Sequence, residues 1–113
     1  MPRRIPFVPS KNNYRLNVPL DGTRYLFDNI HWNAQDHGGA WFLDLREEDE
    51  SPILLGIKLV LGARIGISST HPFFQSYFVR VVDTAGQGID AGYDDLGARI
   101  QLVITSLTDA LAA

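Results

Sequence analysis

The sequence predicts an all-β fold: a small antiparallel β-barrel or sandwich of about six to seven strands, preceded by an extended N-terminal arm. Three observations lead there. Six segments alternate apolar and polar residues, or run as short β-branched stretches, which is the signature of strands whose successive side chains point to opposite faces. Turn signals built on Gly, Pro, Asp and Asn separate these segments at short intervals. No segment carries an apolar stripe with a 3.6-residue period over a useful length.

The elements follow in order. Residues 1–13 hold three prolines and two asparagines with little periodicity and read as an extended arm. A single β domain is expected over residues 14–105, and a short tail that forms one loose helical turn or frays over 106–113. In the first strand, Tyr14, Leu16, Val18 and Leu20 face one way, and Arg15, Asn17 and Pro19 the other. Pro19 lacks an N–H donor, which suits a sheet edge or a strand end. Asp21-Gly22 is a hairpin signal. The return strand, Thr23 to Trp32, puts Tyr25 and Phe27 out of phase with Ile30 and Trp32, so a bulge is expected near Asp28-Asn29. Trp41, Leu43 and Leu45 alternate with Phe42, Asp44 and Arg46 in the next. The apolar run Ile53 to Leu61 suits either a strand or a short helix, and its flanking Pro and Gly with internal Ile and Val favour a strand. Tyr77 to Val82 and Ala98 to Thr105 are the last two strands.

Composition narrows the function. An apolar fraction of 45% with 11% aromatics belongs to a folded chain, and 113 residues suit one domain with a modest core. The absence of cysteine removes disulfides and thiolate metal sites. A net charge of −3 argues against generic nucleic-acid binding and sequence readout, which need a basic surface. No run approaches the roughly 18–20 apolar residues of a membrane span. No apolar stretch follows the charged N-terminus, so no secretory signal is expected.

Between the last two strands lies an acidic, glycine-rich loop. Four glycines and four aspartates fall within the fifteen residues from Asp83 to Gly97. Its backbone groups and carboxylates need water or specific partners, and long structured loops tend to be functional. Asp83, Asp90, Asp94 and Asp95 could ligate a hard cation such as Ca²⁺, but there is one copy of the pattern and no EF-hand spacing, so capped turns and protein docking are favoured over metal. His31 and His37 with Asp36 match no standard ligand spacing. A triad drawn from Ser69, His71 and an Asp lacks a nucleophile elbow, and Gly86-x-Gly88 lacks the rest of a dinucleotide fingerprint. No catalytic residue, metal or cofactor is therefore assigned.

The run Asp83-Thr84-Ala85-Gly86-Gln87-Gly88-Ile89-Asp90, with Asp94-Asp95-Leu96-Gly97 and Arg99, resembles the baseplate plug family of small contractile-tailed phages. Three other places agree in order and spacing: Ile5-Pro6-Phe7 leading to Tyr14-Arg15-Leu16 and Leu20-Asp21-Gly22; Trp32-Asn33 before Trp41-Phe42-Leu43-Asp44; and Leu55-Gly56-Ile57-Lys58-Leu59-Val60 before Gly62. The resemblance spans roughly residues 5 to 105, with Ile65 to Phe74 and the tail after Thr105 departing from the pattern. It implies a non-enzymatic structural component of a tail baseplate near the central hub and tail tube. The implied partners are hub, tube or wedge components and copies of the chain itself. The implied location is the virion tail, after assembly in the host cytoplasm.

Contact residues are expected in three places. The arm, with Arg3, Arg4, Ile5 and Phe7, joins charge to apolar anchors and could add a strand to a neighbouring subunit. The loop offers Asp83, Asp90, Asp94 and Asp95, opposite in charge to the arm, as suits repeated contacts in a ring. Phe73-Phe74 follows His71-Pro72 outside any clear strand and reads as an exposed apolar pair. Of the other aromatics, Trp41 and Tyr77 lie in phase with aliphatic neighbours and read as core. Two other classes stand beside this reading. One is a small barrel binding an oligosaccharide or oligonucleotide through exposed aromatics such as Trp32, Phe42 and Phe78. The other is a hydrolase or metalloprotein using the acidic loop.

Overall fold

Eight strands and one turn of helix form among residues 3–9, 11–35, 39–62, 64–66, 69–89 and 92–106, the residues described in a computed structural model of the chain. The strands are β1 (Arg3–Arg4), β2 (Tyr14–Leu20), β3 (Thr23–Asn33), β4 (Ala40–Glu47), β5 (Pro52–Lys58), β6 (Arg64–Ile65), β7 (Tyr77–Asp83) and β8 (Ile100–Ser106), with α1 at Pro72–Ser76. They build two antiparallel four-stranded sheets, ordered β2-β3-β4-β5 and β1-β8-β7-β6. The sheets do not close on each other, so the fold is sandwich-like and not a barrel. Residues 107–113, where a helical turn was expected, lie outside the described residues.

Local chemistry explains the first sheet. Asp21 and Gly22 both take positive φ, 52° and 84°, and Leu20 pairs with Thr23, giving the mirror-image turn whose twist matches a hairpin. Pro19 sits in β2, an edge strand, where a missing N–H leaves no rung of the ladder empty. The bulge falls where the phase change demanded it. Asp28 pairs with Asp44 and His31 with Phe42, so β3 carries one extra residue there, and Asn29 has φ 49°. That residue returns Ile30 to the same buried face as Phe27; they are 0% and 1% exposed. The opposed Asp28 and Asp44 are offset by cations. Arg15 grips Asp28 with bonds of 2.9 and 2.8 Å, Arg46 lies 3.5 Å from it, and Arg15's hydrogen bonding holds the Asp28 carboxyl below its usual range. The ambiguous run 53–61 does form a strand, β5, kinked at Gly56 (φ 66°), whose N–H donates to Asp44 Oδ1 at 2.7 Å.

The core lies between the sheets. Leu20, Phe27, Ile30, Trp41, Leu43 and Leu45 from one meet Val79, Val81, Ile100, Leu102 and Ile104 from the other, every one at most 2% exposed. At one end the sheets are also joined by polar contacts. Tyr77 donates its hydroxyl to Asp21 Oδ2 at 2.7 Å, and Arg3 lies 3.5 Å from Asp21 Oδ1. Desolvation, aided by the Asp21 carboxylate, pushes the Tyr77 phenol up to about 12.

Two expectations are corrected. The arm finds its sheet within the chain: Arg3 and Arg4 pair with Ile104 and Val103 of β8, and the Ile5 N–H donates to Leu102 O at 3.0 Å. Ile5 and Phe7 are 1% and 5% exposed and belong to the chain's own core. The physical reason is that the free edge of β8 needs a partner, and a strand on the same chain supplies one without the entropy loss of bringing two bodies together. Phe73 and Phe74 are likewise buried, at 3% and 6%. His71 Nδ1 accepts from the Phe73 N–H at 3.1 Å and Pro72 opens α1, so one helical turn swings both rings inward. Phe73 then packs edge-on against Tyr25 at 4.9 Å and lies tilted against Tyr77 at 5.0 Å.

Because the arm is core, Ile5→Ala is expected to cost about 2–5 kcal/mol in urea unfolding, the range for truncating a buried aliphatic side chain. Deleting residues 2–7 is expected to lower the melting temperature further. A deletion variant that melts with the wild type would show that these residues are not part of the folded domain.

Candidate functional site

The connection from β7 to β8 is too long to satisfy its backbone by a sheet ladder, so its N–H and C=O groups need other partners. The hairpin first extends by one rung: Thr84 N–H donates to Arg99 O at 2.7 Å, with the Thr84 hydroxyl on the same oxygen at 3.0 Å. Beyond this neck the partners are two aspartates. Asp83 accepts the N–H groups of Ala85 and Gly88, each at 2.9 Å. Gly86 and Gly88 both have φ 68°, the left-handed backbone that lets the chain curl round one carboxylate. Asp95 Oδ2 accepts the Gly92 N–H at 2.7 Å.

Arg99 joins the two halves. Its Nη1 donates to Asp83 Oδ2 at 3.1 Å and to Ile89 O at 2.8 Å, and its Nη2 to Asp95 Oδ2 at 3.1 Å. The Arg99 and Asp83 side chains are only 13% and 5% exposed. Desolvation works to raise the Asp83 pKa. The N–H donors of Ala85, Gly88 and Gln87 and the Arg99 charge outweigh it, and the carboxyl sits below its ordinary value.

Aromatic packing ties the loop to the other sheet. Trp41, from β4, donates its indole N–H to Gly92 O at 3.1 Å and stacks on Tyr93 at 5.7 Å and 21°. Trp32, from β3, meets Tyr93 edge-on at 6.0 Å. Gly39 makes room for it, since a Cβ there would fall 2.0 Å from Trp32 Cζ2. Leu96 is 1% exposed, and Gly97 (φ 86°) lies so close to the arm that a Cβ would fall 2.5 Å from Phe7 O. The described parts of the loop, 84–89 and 92–98, are therefore joined from within by one arginine and held against both sheets. Its outer surface carries Ile89, 62% exposed, Tyr93, 39% exposed, and the exposed Asp94.

The residues expected to make contacts divide accordingly. Asp83 and Asp95 turn inward to Arg99 and the loop backbone, so their carboxylates hold the loop together. This corrects their expected outward role. Asp94 stays on the surface, and Asp90 lies outside the described residues. Arg3 and Arg4 are exposed, whereas Ile5, Phe7, Phe73 and Phe74 are buried. Aromatics considered as a stacking platform pack against neighbouring rings: Trp32 is tilted against Trp41 at 5.8 Å, and Phe42 stacks on His31 at 5.7 Å. His31 Nδ1 bonds to Asn29 O at 2.7 Å; His37 and Asp36 lie outside the described residues. Among the described residues no group of three or more His, Asp or Glu is placed to hold a metal ion. Sequence reasoning missed Arg99 as the organiser and Tyr93 as the bridge. A single cation four residues after Asp95, inside so acidic a stretch, was the available signal for the first.

A family model described as "Cyanophage baseplate Pam3 plug gp18" matches residues 3–107, nearly the whole chain and all of the loop. No curated protein and no solved structure matches the chain.

Arg99→Gln is expected to loosen the loop before the sheets. Hydrogen exchange at the Gly88 and Gly92 amides and proteolysis within 84–98 should accelerate strongly, while exchange in β3 and β4 changes little. Asp83 adds a pH dependence. Its folded pKa lies below the unfolded value, so the stability it contributes is present above about pH 4 and lost as pH falls through the folded pKa. Asp83→Asn should be less stable at neutral pH and show a flatter acid limb. Parallel acid limbs for the two proteins would remove Asp83 as a source of that dependence.

Proposed function

We infer the role of this chain from one premise: it belongs to the cyanophage baseplate plug family. It is a structural protein of a phage tail baseplate, carried in the virion tail, and it works by contact with other baseplate proteins. Our reading goes further in three respects. The chain sits near the central hub and tail tube, it joins hub, tube or wedge components and copies of itself, and it assembles in the host cytoplasm without catalysing a reaction.

The observation that carries this reading is the loop. Arg99, Trp41 and Leu96 hold it from inside, so it keeps its shape before any partner arrives, and a pre-ordered surface loses little conformational freedom on docking. What it presents outward is apolar and acidic: Ile89, Tyr93 and Asp94. The carboxylates of Asp83 and Asp95 are occupied by N–H and guanidinium donors, which suits a scaffold and not a general acid or base. On the basic side, Arg3 and Arg4 keep exposed side chains although the strand that bears them is committed to the chain's own sheet.

The test is incorporation. A protein carrying Ile89→Asp and Asp94→Lys should fold with a near-normal melting temperature, because neither side chain is in the core. It should enter assembled tails at a small fraction of the wild-type yield. Wild-type incorporation of that variant would remove the loop tip as a contact.

A further inference from the structure

The strand register places three arginines in one line across the second sheet. Arg4 in β1 pairs with Val103 in β8, Val103 with Arg80 in β7, and Arg80 with Arg64 in β6. Cross-strand partners share a face. The adjacent row, Ile104, Val79 and Ile65, is the buried one, so the arginine row looks away from the core. On the same outer face the flanking pairs are Phe78 with Thr105 and Val82 with Gln101, each partly exposed. No acidic residue lies on that face in the four strands. Among the described residues the Arg4 and Arg80 side chains make no hydrogen bond or ion pair, and the Arg64 guanidinium lies over the Phe78 ring at 4.6 Å.

That arrangement has a cost within the isolated chain. Arg80 and Arg64 stand directly opposite each other, and like charges so placed repel. An acidic partner would convert the repulsion into attraction. The partner should also be partly apolar, because Phe78, Val82 and Val103 lie between and beside the arginines. The loop tip has this character: Asp94 beside Ile89 and Tyr93. It cannot satisfy its own sheet, because Trp41 and Trp32 hold Tyr93 against β3 and β4, on the far side of the core from the arginine face.

We propose that the outer face of β1-β8-β7-β6, through Arg4, Arg80 and Arg64, is the seat for Ile89, Tyr93 and Asp94 of a second copy of this chain. Each copy then gives a loop and receives one. Such a contact uses two different patches, so it can be met reciprocally in a closed pair or repeated head to tail in a ring or open chain. Apposing two arginine faces is disfavoured by the same charges, which selects against the face-to-face dimer. Nucleic acid fits this face less well, because the chain is net acidic at −3 and the aromatic ring there lies beneath an arginine. The proposal rests on the self-contact part of the role above. It is read in free solution, so its failure leaves the chain's contacts with other tail proteins untouched.

The experiment is sedimentation equilibrium of the full chain at low and high salt, with circular dichroism and melting temperature to verify folding. The wild type is expected to associate as concentration rises and to dissociate with added salt. Arg64→Glu with Arg80→Glu should shift the average mass to the monomer value, as should Ile89→Asp with Asp94→Lys. Arg64→Ser with Arg80→Ser provides a charge-neutral variant should the reversal perturb folding. The decisive arm mixes the Arg64→Ser/Arg80→Ser variant with the Ile89→Asp/Asp94→Lys variant. One intact loop and one intact arginine face remain per pair, so the mixture should stop at a one-to-one dimer. A wild type that stays monomeric at every concentration, association that ignores the arginine substitutions, or arginine-dependent binding of a DNA oligonucleotide in place of self-association would each overturn the proposal.

Discussion

Arg99 is the residue on which the long connection of the second sheet depends. A chain that leaves a hairpin for so many residues must pay for closure in conformational entropy and must find partners for its backbone groups. Here one guanidinium reaches Asp83 at the start of the excursion, Ile89 O in its middle and Asp95 near its end. The two carboxylates bind the glycine N–H groups in turn. The charges are compensated where they are buried, so the loop can be acidic and compact at once. Arg99 itself is held across the neck of the hairpin, because its carbonyl receives both Thr84 donors from the end of β7.

The same logic of compensated ends runs through the sheets. A small open sandwich has strand edges to manage, and here they are managed by different devices. The edge of β8 is covered by β1, and Ile5 and Phe7 follow it into the core. Of the terminal strands, β2 carries Pro19, β5 is kinked at Gly56 and ends in Lys58, and β6 is short and bears Arg64. None presents a long flat ladder to a stranger. That bias turns recognition away from backbone pairing and toward side-chain surfaces, namely the loop tip and the arginine face. A protein built for repeated contacts in an assembly gains from this, because edge pairing is indifferent to sequence and therefore to partner.

How much was legible in the sequence follows from the range of each interaction. Strands β2 to β5, β7 and β8, the Asp21-Gly22 hairpin, the bulge after Asp28 and the edge position of Pro19 were readable, because each rests on residues within a few positions of one another; the two-residue strands β1 and β6 are too short to leave a pattern. The all-β class was readable too, and the family through the order of its motifs. The contact residues read less well. Ile5 and Phe7 looked like anchors for a neighbour because no local pattern reveals that β8 has a free edge a hundred residues away. Phe73 and Phe74 looked exposed because a five-residue helix is too short to leave a period, and its cap, His71 Nδ1, is a matter of side-chain geometry.

By itself, then, the sequence determined what alternation and turn chemistry can dictate: the class, the Asp21-Gly22 hairpin, the phase of β2, β3 and β4, and the presence of a long acidic loop. The tertiary structure decided which charges face inward and which outward. Asp83, Asp94 and Asp95 are alike in type and close in sequence, yet two bind Arg99 and the loop backbone and one lies on the surface. Arg4, Arg64 and Arg80 are far apart in the chain, and only the pairing of β1, β8, β7 and β6 aligns them. The reason is physical: a side chain's direction in a strand is set locally by period, but its neighbours are set by which strands pair, and pairing is a property of the whole chain.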